Sequence, residues 1–178
     1  MSVNSFCRIN SIRSSLGEVS VQPYFSSWPT TIIETISAIQ QERLTLASRL
    51  PEYPIVMRMF GVGPVLGPQL MAEIGDVRCF ERRQSLVAFA GVDAPPCQSG
   101  TFEPKNRHIS KRGSPRLRKT LFQVMSTIIQ RAPADDPVFQ FLYRKRKEGK
   151  HYYVYMTAAA NKFLRIYYGT VTAYLEKL

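Results

Sequence analysis

The amino-acid sequence predicts a mainly α-helical protein: a long N-terminal coiled-coil-like helix, then a compact helical domain containing a helix-hairpin-helix and an irregular loop or short hairpin. Three observations predict it. Apolar residues recur at intervals of three and four over most of the 178 residues, the spacing of one-sided helices. No alternating run is long enough to make a strand. Helix punctuation sits where that spacing starts and stops, as at Ser114-Pro115 and Gly91. With 44% hydrophobic and 21% charged residues, a mostly disordered chain is excluded.

Each element follows in order. Residues 1–29 are rich in serine and without periodicity, and are expected to form a poorly ordered leader. Thr30-Thr31 offers an N-cap, with Glu34 in the first turn. Ile32, Ile36, Ile39, Leu46 and Leu50 then fall on a 4-3-4-3-4 ladder whose one polar rung is Arg43. Such a narrow seam predicts a coiled-coil-like helix over residues 30–50, ended by Pro51 and Pro54. An amphipathic helix packed on its own domain fits equally well; in both cases something must cover the isoleucines.

Residues 53–178 are expected to form the helical domain. An apolar helix runs into Gly61-Val62-Gly63 and a second one leaves it, with Pro68 in its first turn. In a helix-hairpin-helix, Gly61 and Gly63 would free the turn and let a phosphate approach the backbone. A plain tight turn is the alternative. A short helix over 80–91 carries Phe80, Leu86, Phe89 and Ala90 and stops at Gly91. Two prolines and two glycines make residues 91–102 a loop or short hairpin. Ser114 caps the next helix with Pro115 at its first position, and Leu117, Leu121, Val124, Met125 and Ile128 form its buried face. A helix over 137–149 places Phe139, Leu142 and Tyr143 on one side. The last helix, over 152–175, buries Met156, Ala160, Phe163, Tyr167 and Val171.

Charge points to the partner. Lys and Arg total 24 against 13 Asp and Glu, and residues 51–178 hold 20 of the cations and ten of the acids. A surplus of this size draws polyanions. From 105 to 119 there are seven cations (Lys105, Arg107, Lys111, Arg112, Arg116, Arg118 and Lys119) and no acid. Three of them open a helix, where they oppose its dipole, so an anion is expected to offset the cost. The run Arg144–Lys147 closes a helix, where the dipole favours cations and no ligand is required. Cys7, Cys79 and Cys97 have no disulfide or zinc spacing, and His108 and His151 are the only histidines, so no metal site is expected in this chain. No apolar run approaches 18 residues and no secretory segment opens the chain. A cytoplasmic protein facing nucleic acid is expected, without membrane contact.

Gly-Val-Gly-Pro, Ala-Glu-Ile-Gly-Asp, Phe89-Ala90-Gly91-Val92, Gln98-Ser99-Gly100, Ile109-Ser110-Lys111-Arg112-Gly113 and Leu117-Arg118 follow in one line. Over about residues 53–175 this order resembles the C-terminal transposase domain of the insertion-sequence-110 family, recombinases guided by a bridge RNA. The resemblance implies DNA and a structured guide RNA as partners, and a serine nucleophile at Ser99. It also implies self-association through residues 30–50, which resemble the family's inter-domain coiled coil. Cys97, Ser110 and Ser114 are lesser candidates for the nucleophile. The family's metal carboxylates lie in a RuvC-like domain that would hold Mg²⁺, whereas Glu18 is the only acid before Thr30. The chain is therefore expected to carry nucleophile and nucleic-acid contacts yet to cut nothing by itself. Two other readings stay open: a non-catalytic helix-hairpin-helix module, and an interaction protein that pairs with a full-length transposase.

Overall fold

A computed structural model of the protein describes residues 24–94 and 108–178, with side chains from residue 30 onward. Among the described residues the structure is helical and has no strand. The elements are α1 (Tyr24–Ala47), α2 (Tyr53–Val56), α3 (Leu66–Ile74), a 3-10 turn (Val77–Cys79), α4 (Arg83–Ala90), α5 (Pro115–Arg131), α6 (Pro137–Lys147) and α7 (Tyr152–Leu175). The chain divides into two units, residues 1–39 and 40–178, and α1 crosses the division.

In the first unit, α1 is longer at its start and shorter at its end than the ladder predicts. Tyr24 to Pro29, expected in an unstructured leader, are helical. Residues 1–23 of the expected leader lie outside the described residues. Ile32, Ile33, Ile36 and Ile39 expose between 49% and 63% of their surface.

The second unit is organised around α7, which packs on α2, the 3-10 turn, α4, α5 and α6, while α3 packs on α5. The predicted stripes are buried: Leu117, Leu121, Val124, Met125 and Ile128 on α5; Met156, Ala160, Phe163, Tyr167 and Val171 on α7. Each large apolar side chain removed from water contributes about 1.5–3 kcal/mol. Burial also pushes the Tyr167 phenol well above its ordinary pKa. Polar groups fix the packing. The Gln69 amide donates to Thr120 Oγ1 at 2.8 Å, and Thr120 donates to the Arg116 carbonyl, joining α3 to α5. The Tyr168 hydroxyl donates to the Phe80 carbonyl at 2.9 Å.

Caps agree with the sequence. Ser114 Oγ accepts from Leu117 N, with Pro115 at the first helical position. Asp136 does the same for α6, accepting from Val138 N and Phe139 N ahead of Pro137. Three expectations are corrected. The helix before Gly61 is the single turn α2; Arg58 to Gly61 continue as turns, because Gly61 adopts φ +80° and its missing side chain admits Ile128. On α6 the buried pair is Val138 and Leu142, whereas Tyr143 is exposed, having rotated past the contact face. The short helix near residue 80 starts at Arg83; Phe80 lies before it with its ring 5.4 Å from that of Phe89.

Candidate nucleic-acid interface

The interface is built on a tight backbone crossing. Gly91 ends α4 in the left-handed region, φ +65°, turning the chain toward the start of α5. Ser114 N donates to the Phe89 carbonyl at 2.8 Å, Lys111 N to the Gly91 carbonyl at 3.2 Å, and Ser110 N to the Asp93 carbonyl at 2.9 Å. A Cβ on Gly113 would fall on the Phe89 carbonyl, so this crossing requires glycine. Ser110 Oγ donates to the Asp93 carboxylate. Lys111, at φ +53°, is a non-glycine residue in the left-handed region. The two strands of chain that meet here lead to Ala94 and His108, which bracket the segment carrying Ser99.

Beside the crossing lies a groove of about 1650 Å³. Its walls have a simple origin in the sequence. On α5, residues Pro115, Arg118, Lys119, Phe122, Gln123 and Ser126 repeat at alternating steps of three and one, a single helix face. On α7, Val154, Thr157, Ala158, Asn161, Lys162 and Arg165 repeat in the same way. Phe141 and Arg144 of α6, Tyr152 and Tyr153 of α7, and Val92, Ala94, His108, Ile109 and Lys111 complete the described lining. Each helix thus turns one face to the core and the adjacent face to the groove.

The electrostatics are one-sided. Lys111, Arg118, Lys119, Arg144, Lys162 and Arg165 line the groove, and among the described residues no Asp or Glu does. Among the described residues the ion pairs are Asp76–Arg78 and Lys145–Glu148, so none of these six cations is paired with a described carboxylate. Lys145 holds the Glu148 carboxyl below the usual carboxylate range, and Arg78 does the same to Asp76. Phe141 gathers part of the charge: Lys162 Nζ stands 5.0 Å and Arg144 Cζ 5.4 Å from its ring centroid. Clefts lined by one sign of charge concentrate counter-ions of the opposite sign.

The sequence-predicted residues separate into groups. Lys111, Arg118 and Lys119 lie in the groove. Arg118 also has a structural duty, because its Nη1 donates to the carbonyls of Ala90 and Gly113, both at 3.0 Å. Arg112 and Arg116 are exposed but do not line the groove. Gly61 faces inward, where a Cβ would stand 2.7 Å from Ile128 Cγ1; at Gly63 a Cβ would meet open space. Ser99, Cys97, Lys105 and Arg107 lie outside the described residues. Ser114 is engaged as a cap and toward Glu73 Oε2 at 3.3 Å, and Ser110 by Asp93.

Arg144, Lys162 and Arg165 were not predicted as contacts. Arg144 stood in a run that the helix dipole explains, and the signal for the other two was their three-residue spacing beside the buried stripe of α7. Among the described residues, no group of three or more His, Cys, Asp or Glu could hold a metal ion, so no step through Mg²⁺ is assigned to them. No described helix is long and apolar enough to cross a membrane.

Comparison with known proteins gives two matches. Residues 53–144 match the model of the transposase IS116/IS110/IS902 family. The protein named "Putative transposase y4rJ" from Sinorhizobium fredii (strain NBRC 101917 / NGR234) is 33% identical over 104 residues, a stretch covering 52% of this chain and 26% of that protein. The match thus spans about a quarter of that relative's length.

Proposed function

The chain belongs to the transposase IS116/IS110/IS902 family, and from that premise we propose that it is a nucleic-acid-binding domain that presents a serine nucleophile to DNA. The observation that carries this reading is the groove: among the described residues, six cations and no carboxylate line it, as do Ala94 and His108, which flank the Ser99 segment in sequence. Phosphates held there would lie near Ala94 and His108, between which in sequence stands the segment that the family resemblance marks as reactive. In the reaction, the Ser99 hydroxyl loses its proton and its oxygen attacks a backbone phosphorus. A phosphoserine bond forms, the bond to one sugar oxygen breaks, and that oxygen leaves with a proton. Groove cations would stabilise the charge on the phosphate. The residues that activate the hydroxyl are expected from outside the described part of the chain, and a guide RNA, as the resemblance implies, would choose the target.

The test is covalent trapping on a family target DNA with guide RNA and a family RuvC-like domain supplied. A phosphoserine adduct is expected with the unaltered chain and not with Ser99→Ala, whose DNA affinity stays within about threefold, roughly 0.6 kcal/mol. Adduct formation by Ser99→Ala would remove Ser99 from the reaction. The chain alone is expected to leave DNA uncut with or without Mg²⁺. The exposed isoleucines of α1 favour a second element of this reading, self-association of the chain through that helix.

A further inference from the structure

We infer that one end of the groove is a stacking platform for unpaired nucleotides, so that the groove takes a single strand in preference to a smooth duplex. The inference rests on the reading of the groove as a nucleic-acid site. Its evidence is a set of aromatic rings separate from the cations. Tyr152 and Tyr153 open α7 and line the groove, yet they expose 44% and 64% of their surface. Their rings meet edge to face at 5.3 Å, and Phe122 of α5 stands 6.4 Å from Tyr153. Burial in the core explains none of this exposure.

The fourth groove aromatic, Phe141, has a different occupation, since Lys162 and Arg144 sit over it. The groove is therefore divided. Around Phe141 it offers positive charge for phosphates; around Tyr152 and Tyr153, whose rings also meet Tyr155 and His151, it offers the ring surface that these contacts leave exposed. A duplex can use only the first part, because its base faces are stacked on one another and closed to a side chain. An unpaired strand uses both, and stacking on aromatic side chains is tolerant of sequence because every base has a π-face. The same chemistry can come from unpaired DNA or from a loop of RNA.

The test uses the full chain with fluorescent oligothymidine, oligouridine and a blunt duplex of equal length, by anisotropy in one buffer. At least one of the two unpaired probes should bind about tenfold or more tighter than the duplex, and the tighter of the two names the source. Tyr152→Ala with Tyr153→Ala should weaken that probe by about tenfold or more and the duplex by less than twofold, with the salt slope kept. Tyr152→Phe with Tyr153→Phe should restore binding, which separates stacking from misfolding. Equal affinity for duplex and single strand, or indifference of the single strand to the alanine pair, overturns the inference. Lys162→Ala with Arg165→Ala tests the underlying reading: if it weakens no probe, the groove is not the nucleic-acid site at all.

Discussion

Removing Lys162 and Arg165 together should flatten the salt dependence of binding by a definite amount. Among the described residues, six cations and no carboxylate line the groove. If each neutralises one phosphate, the slope of log K against log salt is about −5 on duplex and about −4 on single strand, from roughly −0.9 and −0.7 per contact. The double alanine variant should lose about 1.8 of that slope on duplex, or about 1.4 on single strand. Its affinity should fall alike for every sequence, because phosphate contacts position a protein without reading bases. Neither side chain is in the core, so the fold should survive. Anisotropy titrations between about 50 and 200 mM salt resolve such changes. Arg112→Ala with Arg116→Ala is the control, being exposed cations of equal charge outside the groove. If the two pairs flatten the slope equally, binding follows net charge alone and the groove has no special part. If only the control pair flattens it, the interface lies elsewhere.

Other substitutions probe the scaffold. Gly113→Ala should destabilise by roughly 2–4 kcal/mol in thermal or urea unfolding, since the new methyl would fall on the Phe89 carbonyl; unchanged stability would refute the tight crossing. Arg118→Ala should cost about 1–3 kcal/mol by stranding the carbonyls of Ala90 and Gly113, whereas Arg116→Ala should leave the melting temperature within error. Ile36→Asp with Ile39→Asp should convert an oligomer to a folded monomer in sedimentation, and a wild-type chain that is monomeric at high concentration would end the self-association reading.

How legible these features were depended on how many elements each one needs. The cap at Ser114-Pro115, the stop at Gly91, the bounds of α7 and the two core stripes each rest on one helix and its neighbours in sequence, and all hold. The turn before α3 was misread because apolar character over residues 55–60 is shared by a helix and by a buried series of turns. The groove needed more. Lys119 and Lys162 are 43 residues apart, and only the packing of α7 on α5 and α6 brings them into one lining. Arg118 was legible as a cation but not as a staple, because the carbonyl of Ala90 that it holds is 28 residues away.

The shared register of core face and groove face on α5 and α7 sets the terms on which this protein can evolve. Both faces are cut from the same helices, and each residue added to a helix rotates everything beyond it by about 100°. A one-residue insertion near the start of α7 would carry Lys162 into the buried place of Phe163 and Leu164 into the exposed place of Arg165. Length is therefore frozen in these two helices, while the identities of their groove residues other than Arg118 are open to change one at a time without loss of the core. Divergence in ligand preference among chains of this kind is expected to be written in substitutions at those spaced positions, and insertions or deletions are expected to collect between the helices.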